Sequence, residues 1–291
     1  MRSLRGIIFS LISALGYSSV YIIARFAQEY TPIDVFLFWW FFVASLLSFI
    51  FVGRTLRGFS KSVRNNLTFF LYFGLSEATG TFIFFYLLKI MNPSLLSFIG
   101  NLSPLFVALW AFLLMNEKLG PVEIIGGLIA IAGVIIITGA SPKGEIVKIL
   151  VVVAITLMFA FNTVLVRIKV KDIQPIFMVS FRVYSLFTIY TIYLIVRTGF
   201  TFPDIRSVPF IISGALMGPI IATFSVFEAL KYLKAADVTI IKSIQPLLVT
   251  LGSYVFLHRA LTMRQFLGGI LILIGVNAVI IAASKERSAA V

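Results

Sequence analysis

The chain has 291 residues, 60% of them hydrophobic and only 12% charged, with a mean hydropathy of +1.08 and a formal net charge of +13. Such apolarity excludes an ordinary soluble domain and makes lipid the solvent for most of the chain. The absence of cysteine excludes disulfides and thiolate chemistry, the single His258 excludes an ordinary zinc site, and Lys and Arg lie scattered through short loops instead of forming a tract for nucleic acid.

Apolar runs of roughly 20 residues match a ~30 Å hydrocarbon layer at ~1.5 Å rise per residue. They predict helices at about 6–28, 33–52, 67–89, 94–115, 120–139, 146–168, 175–196, 207–231, 236–257 and 262–283. Arg2 and Arg5 ahead of an apolar run resemble a signal sequence. That run continues to about Ala24, longer than a signal core, so we expect a retained first helix. Thr31-Pro32, Asn92-Pro93, Gly120-Pro121 and Gln174-Pro175 supply the turn and helix-start chemistry between runs. The loop Ser141-Pro142-Lys143-Gly144 is the expected join between residues 1–142 and 143–291.

The two halves repeat each other without a gap. The stretch from Ser94 to Thr138 returns 142 positions later as Ala236 to Ile280, carrying Pro104 onto Pro246, Gly126-Gly127 onto Gly268-Gly269 and Gly133 onto Gly275. The same offset carries Thr81-Phe82 onto Thr223-Phe224. A register held through loops as well as spans indicates internal duplication. Five spans per copy is an odd number, so the second copy must cross the membrane in the opposite sense. The expected class is an all-α polytopic membrane protein with ten transmembrane helices as two inverted five-helix repeats.

Lys and Arg are more numerous at the helix ends on the N-terminal side, above all between Arg54 and Arg64. That bias predicts both termini in the cytoplasm of a cell with a cytoplasmic (inner) membrane. Small residues at Gly126, Gly127, Ala130 and Gly133, and at Gly268, Gly269 and Gly275, let helices approach closely in lipid. We expect packing there, with a homodimer contact as a second use of the same faces.

Ionisable groups within a span cost roughly 2.5–3.5 kcal/mol each, so each needs a partner, a cavity or a route to the surface. Glu77, Arg182, Glu228 and Lys242 are the four that stand out. Glu77 lies near the centre of the third span, where the readings are a functional carboxylate or a structural ion pair. Arg182 and Lys242 sit at similar depths in the seventh and ninth spans, roughly 9–11 Å from the end. Either they share a site or their stems snorkel to the interface. Pro246 cannot donate to the carbonyl of Lys242, and Pro104 does the same at Gly100, so both spans free backbone polarity at matching places. Asn162 and Gln245 add hydrogen-bonding capacity at comparable depth. In the other copy Trp40 stands where Arg182 stands and Gly100 where Lys242 stands. Tyr17, Tyr21, Trp39 and Trp40 could there stack a flat or cationic group, or face lipid.

Ser103-Pro104 with Asn116-Glu117-Lys118-Leu119 and Gly126-Gly127-Leu128, echoed by Gln245-Pro246, Leu261-Thr262 and Gly268-Gly269-Ile270, resembles the EamA-type repeat of the drug/metabolite transporter superfamily. The resemblance covers nearly the whole chain. It implies a substrate cavity between the halves, peripheral fifth and tenth helices, and alternating access. The second copy departs from the usual pattern, with Gln245-Pro246 and His258-Arg259 where Glu-Pro and Gly-Glu are common.

The leading expectation is a secondary transporter for a small organic metabolite, an amino acid or related zwitterion. Arg182 and Lys242 would receive the carboxylate, Asn162 and Gln245 would complete hydrogen bonds, Glu77 would bind an amine or a coupling proton, and Tyr17 and Trp40 would line the wall. No cofactor or metal is expected, and no enzyme, because no nucleophile, base and metal constellation is evident. Exchange of sugar phosphates or nucleotide-linked sugars and export of amphipathic drugs remain alternatives. A membrane-embedded enzyme or a sensor stands behind them.

Overall fold

The structure is a computed structural model that describes residues 2–52, 56–115, 119–139, 141, 143–169, 175–230, 232–233 and 235–289. Asn116-Glu117-Lys118, Arg54 and Pro142, all invoked above, lie outside the described residues.

Among the described residues, ten segments are long and apolar enough to cross a membrane. The first copy contains α1 (Arg2–Tyr30), α2 (Ile33–Val52), a short α3 (Leu56–Asn65), α4 (Leu67–Ile90), the pair α5 (Pro93–Gly100) and α6 (Ser103–Met115), and α7 (Pro121–Gly139). The second contains α8 (Lys143–Lys169), α9 (Pro175–Arg197), α10 (Val208–Ala215), α11 (Thr223–Leu230), α12 (Ala235–Lys242), α13 (Gln245–Leu257) and α14 (Met263–Ala289). A 3₁₀ turn at Ile205–Ser207 leads into α10, and a π-helical segment at Leu216–Ala222 joins α10 to α11.

The fourth and ninth spans are each broken where a proline removes a donor. α5 stops at Gly100 and α6 begins at Ser103 with Pro104; α12 stops at Lys242 and α13 begins at Gln245 with Pro246 in its first turn. Asn92 caps α5 by accepting from the Ser94 N–H, with Pro93 opening the helix. The fifth span of each copy starts with an equivalent device. Glu123 accepts from the Gly120 N–H, and Thr262 and Gln265 accept reciprocally from each other's backbone N–H groups, a capping box. Within spans, Ser10, Ser18 and Thr156 donate back to carbonyls four residues earlier, so their hydroxyls are not left unpaired in apolar surroundings.

The inversion is visible in which residues meet. α7 and α14 pack through their glycines: a side chain at Gly126 would strike the Gly275 carbonyl, and one at Gly133 would strike the Gly268 carbonyl. Rising numbers on one helix thus meet falling numbers on its repeat partner, which makes equivalent helices antiparallel. α2 and α9 repeat the relation, with Thr198 Oγ1 donating to Asp34 at one end and Ser48 Oγ donating to Ser180 at the other. The glycine stripes expected to serve packing do so within the chain. The outer faces of these helices expose Ile124, Leu128 and Ile135, and Leu267 and Ile274, an apolar surface suited to lipid.

The core runs between the halves and is rich in aromatic rings. Trp40, Phe36 and Phe41 are among its largest fully buried side chains. Phe36, Trp40 and Phe85 meet at centroid separations of 5.1 to 5.6 Å.

At the end of the bundle opposite the N-terminus, loops of the two copies are tied together. Thr31 Oγ1 donates to Ser207 Oγ at 2.6 Å, the Asp204 N–H donates to Thr31, and Trp39 Nε1 donates to the Thr201 carbonyl. Nearby, Asn92 Nδ2 donates to the Ala260 carbonyl and Arg259 to the Met91 carbonyl. Arg206, through its guanidinium and then its backbone N–H, holds the Asp204 carboxyl down at about 2, so this turn carries its ion pair throughout the physiological range.

Candidate functional site

Near mid-span, the two copies enclose a cavity of about 220 Å³. Its wall is built from repeat-related positions: Tyr17 and Phe159, Trp40 and Arg182, and Thr81 and Thr223 are each 142 residues apart and all line it. The pseudo-twofold axis of the duplication therefore passes through the cavity. Tyr21, Phe84, Phe85 and Gln245 complete much of the lining, together with Gly218 and Pro219 of the π-helical segment.

Pro219 explains that segment. It has no N–H and sits inside the span, so the ladder must change register around it. Pro219 is the repeat counterpart of Glu77, 142 residues away. Matching levels of the third and eighth spans thus carry a carboxylate in one copy and a backbone irregularity in the other.

Glu77 is buried and fully engaged. Arg182 Nε donates to Glu77 Oε2 at 2.5 Å, and Asn162 Nδ2 donates to Glu77 Oε1 at 2.9 Å. Ser76 Oγ donates to Asn162 Oδ1, which fixes the orientation of the amide, and Tyr190 donates to the carbonyl of Ala78 one residue further along α4. Spans three, six and seven are joined by this network. Its charges are paired and its hydrogen bonds largely made, the condition under which buried ions are tolerated. Arg182 keeps one third of its side chain accessible and contributes to the cavity wall, whereas Glu77 and Asn162 stand behind it.

Lys242 occupies a different place. Its ammonium lies 4.9 Å from the centroid of the Tyr17 ring, a cation–π geometry, and the Tyr17 hydroxyl is 3.0 Å from Thr223 Oγ1. Tyr17 presents its ring to the cavity and carries Lys242 against it. Trp40 is 1% exposed and seals the wall opposite α10, where Gly214 leaves room for the indole. Trp39, its neighbour, turns outward to the Thr201 carbonyl and the ring of Phe202. Glu228 does not line the cavity.

Of the sequence-predicted residues, Arg182, Gln245, Trp40 and Tyr17 meet at one cavity, Glu77 and Lys242 contact its lining residues Arg182 and Tyr17, and Asn162 is joined to it only through Glu77. Sequence reasoning missed Thr81, whose hydroxyl is buried, lines the cavity and has no hydrogen-bond partner among the described residues. The signal was present in the exact return of Thr81-Phe82 as Thr223-Phe224. It also missed Phe159, the counterpart of Tyr17, and the Pro219 irregularity.

Ten spans among the described residues, in two antiparallel halves around a central, largely aromatic cavity that Arg182 and Gln245 also line, have the layout of a multi-pass membrane transporter of inverted-repeat design. The chain belongs to the EamA-like transporter family, whose profile matches residues 4–139 and again 146–281, once for each half. It is therefore a member of the drug/metabolite transporter superfamily. Among solved structures, 27 chains match significantly. One, a crystal structure of a protein 16% identical in sequence, superposes with a TM-score of 0.67 over 96% of this chain and 98% of its own, which shows a shared fold. No curated protein matches the sequence significantly.

Proposed function

We propose that this EamA-family transporter carries a small organic metabolite with a single carboxylate, an amino acid or related zwitterion, by alternating access. The observation that carries this reading is the Arg182–Glu77 pair at the cavity wall. Arg182, one third of whose side chain is accessible, offers its guanidinium to a planar carboxylate, for which its fork geometry is suited. Glu77 offsets one positive charge, so Arg182, Lys242 and Glu77 together leave one net positive charge. That balance favours a monoanion or zwitterion over a phosphate dianion, which would call for a second unpaired cation.

Gln245 and the unpartnered Thr81 hydroxyl supply hydrogen bonds to the polar end of such a substrate, and the aromatic wall receives its apolar part. Glu77 is the carboxylate for a coupling proton: its protonation would release Arg182 to the substrate, and substrate departure would return Arg182 to Glu77. The family assignment supports a carrier rather than an enzyme, with no resident cofactor. We place the boundary between halves at residues 142–143, and the abundance of Lys and Arg at the N-terminal side supports cytoplasmic termini in a cytoplasmic membrane.

Counterflow in proteoliposomes, with amino acids, amines, organic anions and sugar phosphates as competing substrates, tests the reading. Exchange of a monocarboxylate or zwitterion that falls at least tenfold in Arg182→Ala is the expected result. Preferential exchange of a phosphate ester, or exchange unaffected by Arg182→Ala in a folded protein, overturns it.

A further inference from the structure

A second and larger cavity, about 660 Å³, lies away from the central one, between α3, α4 and α9. Its wall is mainly apolar, with Phe59 and Val63 from α3, Phe70 and Leu71 from α4, and Phe181 and Ile189 from α9, and α9 adds the polar Tyr184, Ser185 and Thr188. Leu67, Leu71 and Leu75 line it while exposing 53 to 61% of their surface on the side of the bundle that faces hydrocarbon. A groove so placed between two membrane spans is bordered by acyl chains, and water has few polar partners within it.

The helix at its mouth has the opposite character on its other face. In Leu56–Asn65, Phe59 and Val63 are four residues apart and pack towards Phe70, Phe177 and Met178. Phe59 meets the Phe177 ring at 5.8 Å and the Tyr184 ring at 6.0 Å, which pins the apolar side of α3 over the groove. Ser60, Lys61, Arg64 and Asn65 are exposed on the polar side. The segment from Leu56 to Asn65 contains three basic residues, Arg57, Lys61 and Arg64, and no acid. Neither Lys61 nor Arg64 has an ion pair among the described residues, and Arg64 also borders the cavity. A short amphipathic helix with unpaired cations beside an apolar slot is arranged for the interface plane, where headgroups meet chains.

The geometry points to a binding site for one anionic phospholipid of the leaflet on the N-terminal side, its acyl chain in the groove between α4 and α9 and its phosphate at Lys61 and Arg64. Charge complementarity selects the headgroup, and the apolar wall selects the chain. The site borders the transport machinery: Gly74 on the groove wall is one turn before Glu77, and Ser185, which packs against Gly74, is one turn after Arg182.

Native mass spectrometry of the purified full-length protein, after exposure to vesicles of phosphatidylglycerol or of phosphatidylcholine with matched chains, tests the site. The protein should retain one phosphatidylglycerol about tenfold more readily than phosphatidylcholine. Lys61→Glu with Arg64→Glu, both exposed and remote from the core, should bring the two lipids to near parity. Thr188→Trp, which fills the groove from the exposed side of α9, should diminish retention of both. Equal retention of the two lipids by the parent protein, or a preference that survives the charge reversal, overturns the proposal. So does a dimer that Thr188→Trp dissociates, because a second copy would then own the groove.

Discussion

Arg182 and Glu77, 105 residues apart in sequence and in opposite copies of the duplication, form an ion pair in which the carboxylate also accepts from Asn162. The pair links spans three and seven within the membrane, where neither charge would be stable alone. It also bridges scaffold and site, because Arg182 lines the cavity and Glu77 does not.

Removing one member should therefore harm the protein more than removing both. Arg182→Ala leaves Glu77 buried and uncompensated, and a loss of about 3–5 kcal/mol is expected. A double variant, Glu77→Leu with Arg182→Met, should recover much of that stability while transport stays lost. Thermal unfolding of the detergent-purified proteins, followed by size-exclusion fluorescence, compares the three; a double variant as unstable as Arg182→Ala would contradict the pairing argument.

Glu77→Gln keeps the shape and one acceptor for Arg182 and Asn162 but cannot carry a proton. Proton-driven net uptake should lose its dependence on external pH, while exchange of labelled for unlabelled substrate persists. Both are read in the same proteoliposomes, and an unchanged pH profile would remove Glu77 as the coupling group.

The Lys242–Tyr17 contact predicts a graded series. Tyr17→Phe keeps the ring and loses only the hydroxyl's link to Thr223, whereas Tyr17→Leu loses the ring face as well. The second change should weaken substrate binding by about 0.5–2 kcal/mol more than the first. Titration calorimetry with the substrate identified by counterflow measures the difference, and equal effects would show that the cation–π contact is irrelevant to binding.

The contact between α7 and α14 leaves no room for a side chain. At Gly126 and Gly133 the obstacle is backbone carbonyl of the facing helix, which cannot rotate away. Gly133→Leu should destabilise the protein by about 1–3 kcal/mol or more, with a lowered melting temperature. An exposed control such as Ile135→Leu, facing outward on the same helix, should change little.

The end opposite the N-terminus is closed by short polar contacts, and the chain has no native cysteine to confuse a cross-link. Thr31→Cys with Ser207→Cys should form a disulfide under mild oxidation, arrest transport, and regain it on reduction. Full transport by the oxidised, cross-linked protein would mean that this end does not open during the cycle.

Much of the architecture was legible in one dimension. Hydrophobic length set the ten spans, the ungapped repeat set their two-fold division, and the odd number of spans per copy set the inversion. Pro104 and Pro246 marked the breaks in the fourth and ninth spans because a missing N–H interrupts a helix whatever surrounds it. The cost of a charge in lipid singled out Glu77, Arg182 and Lys242 as residues requiring partners. These are local constraints, and a sequence displays them directly.

Which partner each residue takes depends on how the helices rotate and lean against one another, and that is a property of the packed bundle. Only the tertiary structure joined Glu77 to Arg182 and Asn162, sent Lys242 to the face of Tyr17, and left the buried Thr81 hydroxyl without a partner in a residue that lines the cavity. It separated Trp40, sealed in the wall, from Trp39, turned outward one residue away, because adjacent helix positions point about 100° apart. It also turned the two glycine stripes towards each other and revealed α3, too short and too polar to register as a span. The sequence named the residues that lipid would not tolerate; three-dimensional packing decided which of them satisfy one another and which face the cavity.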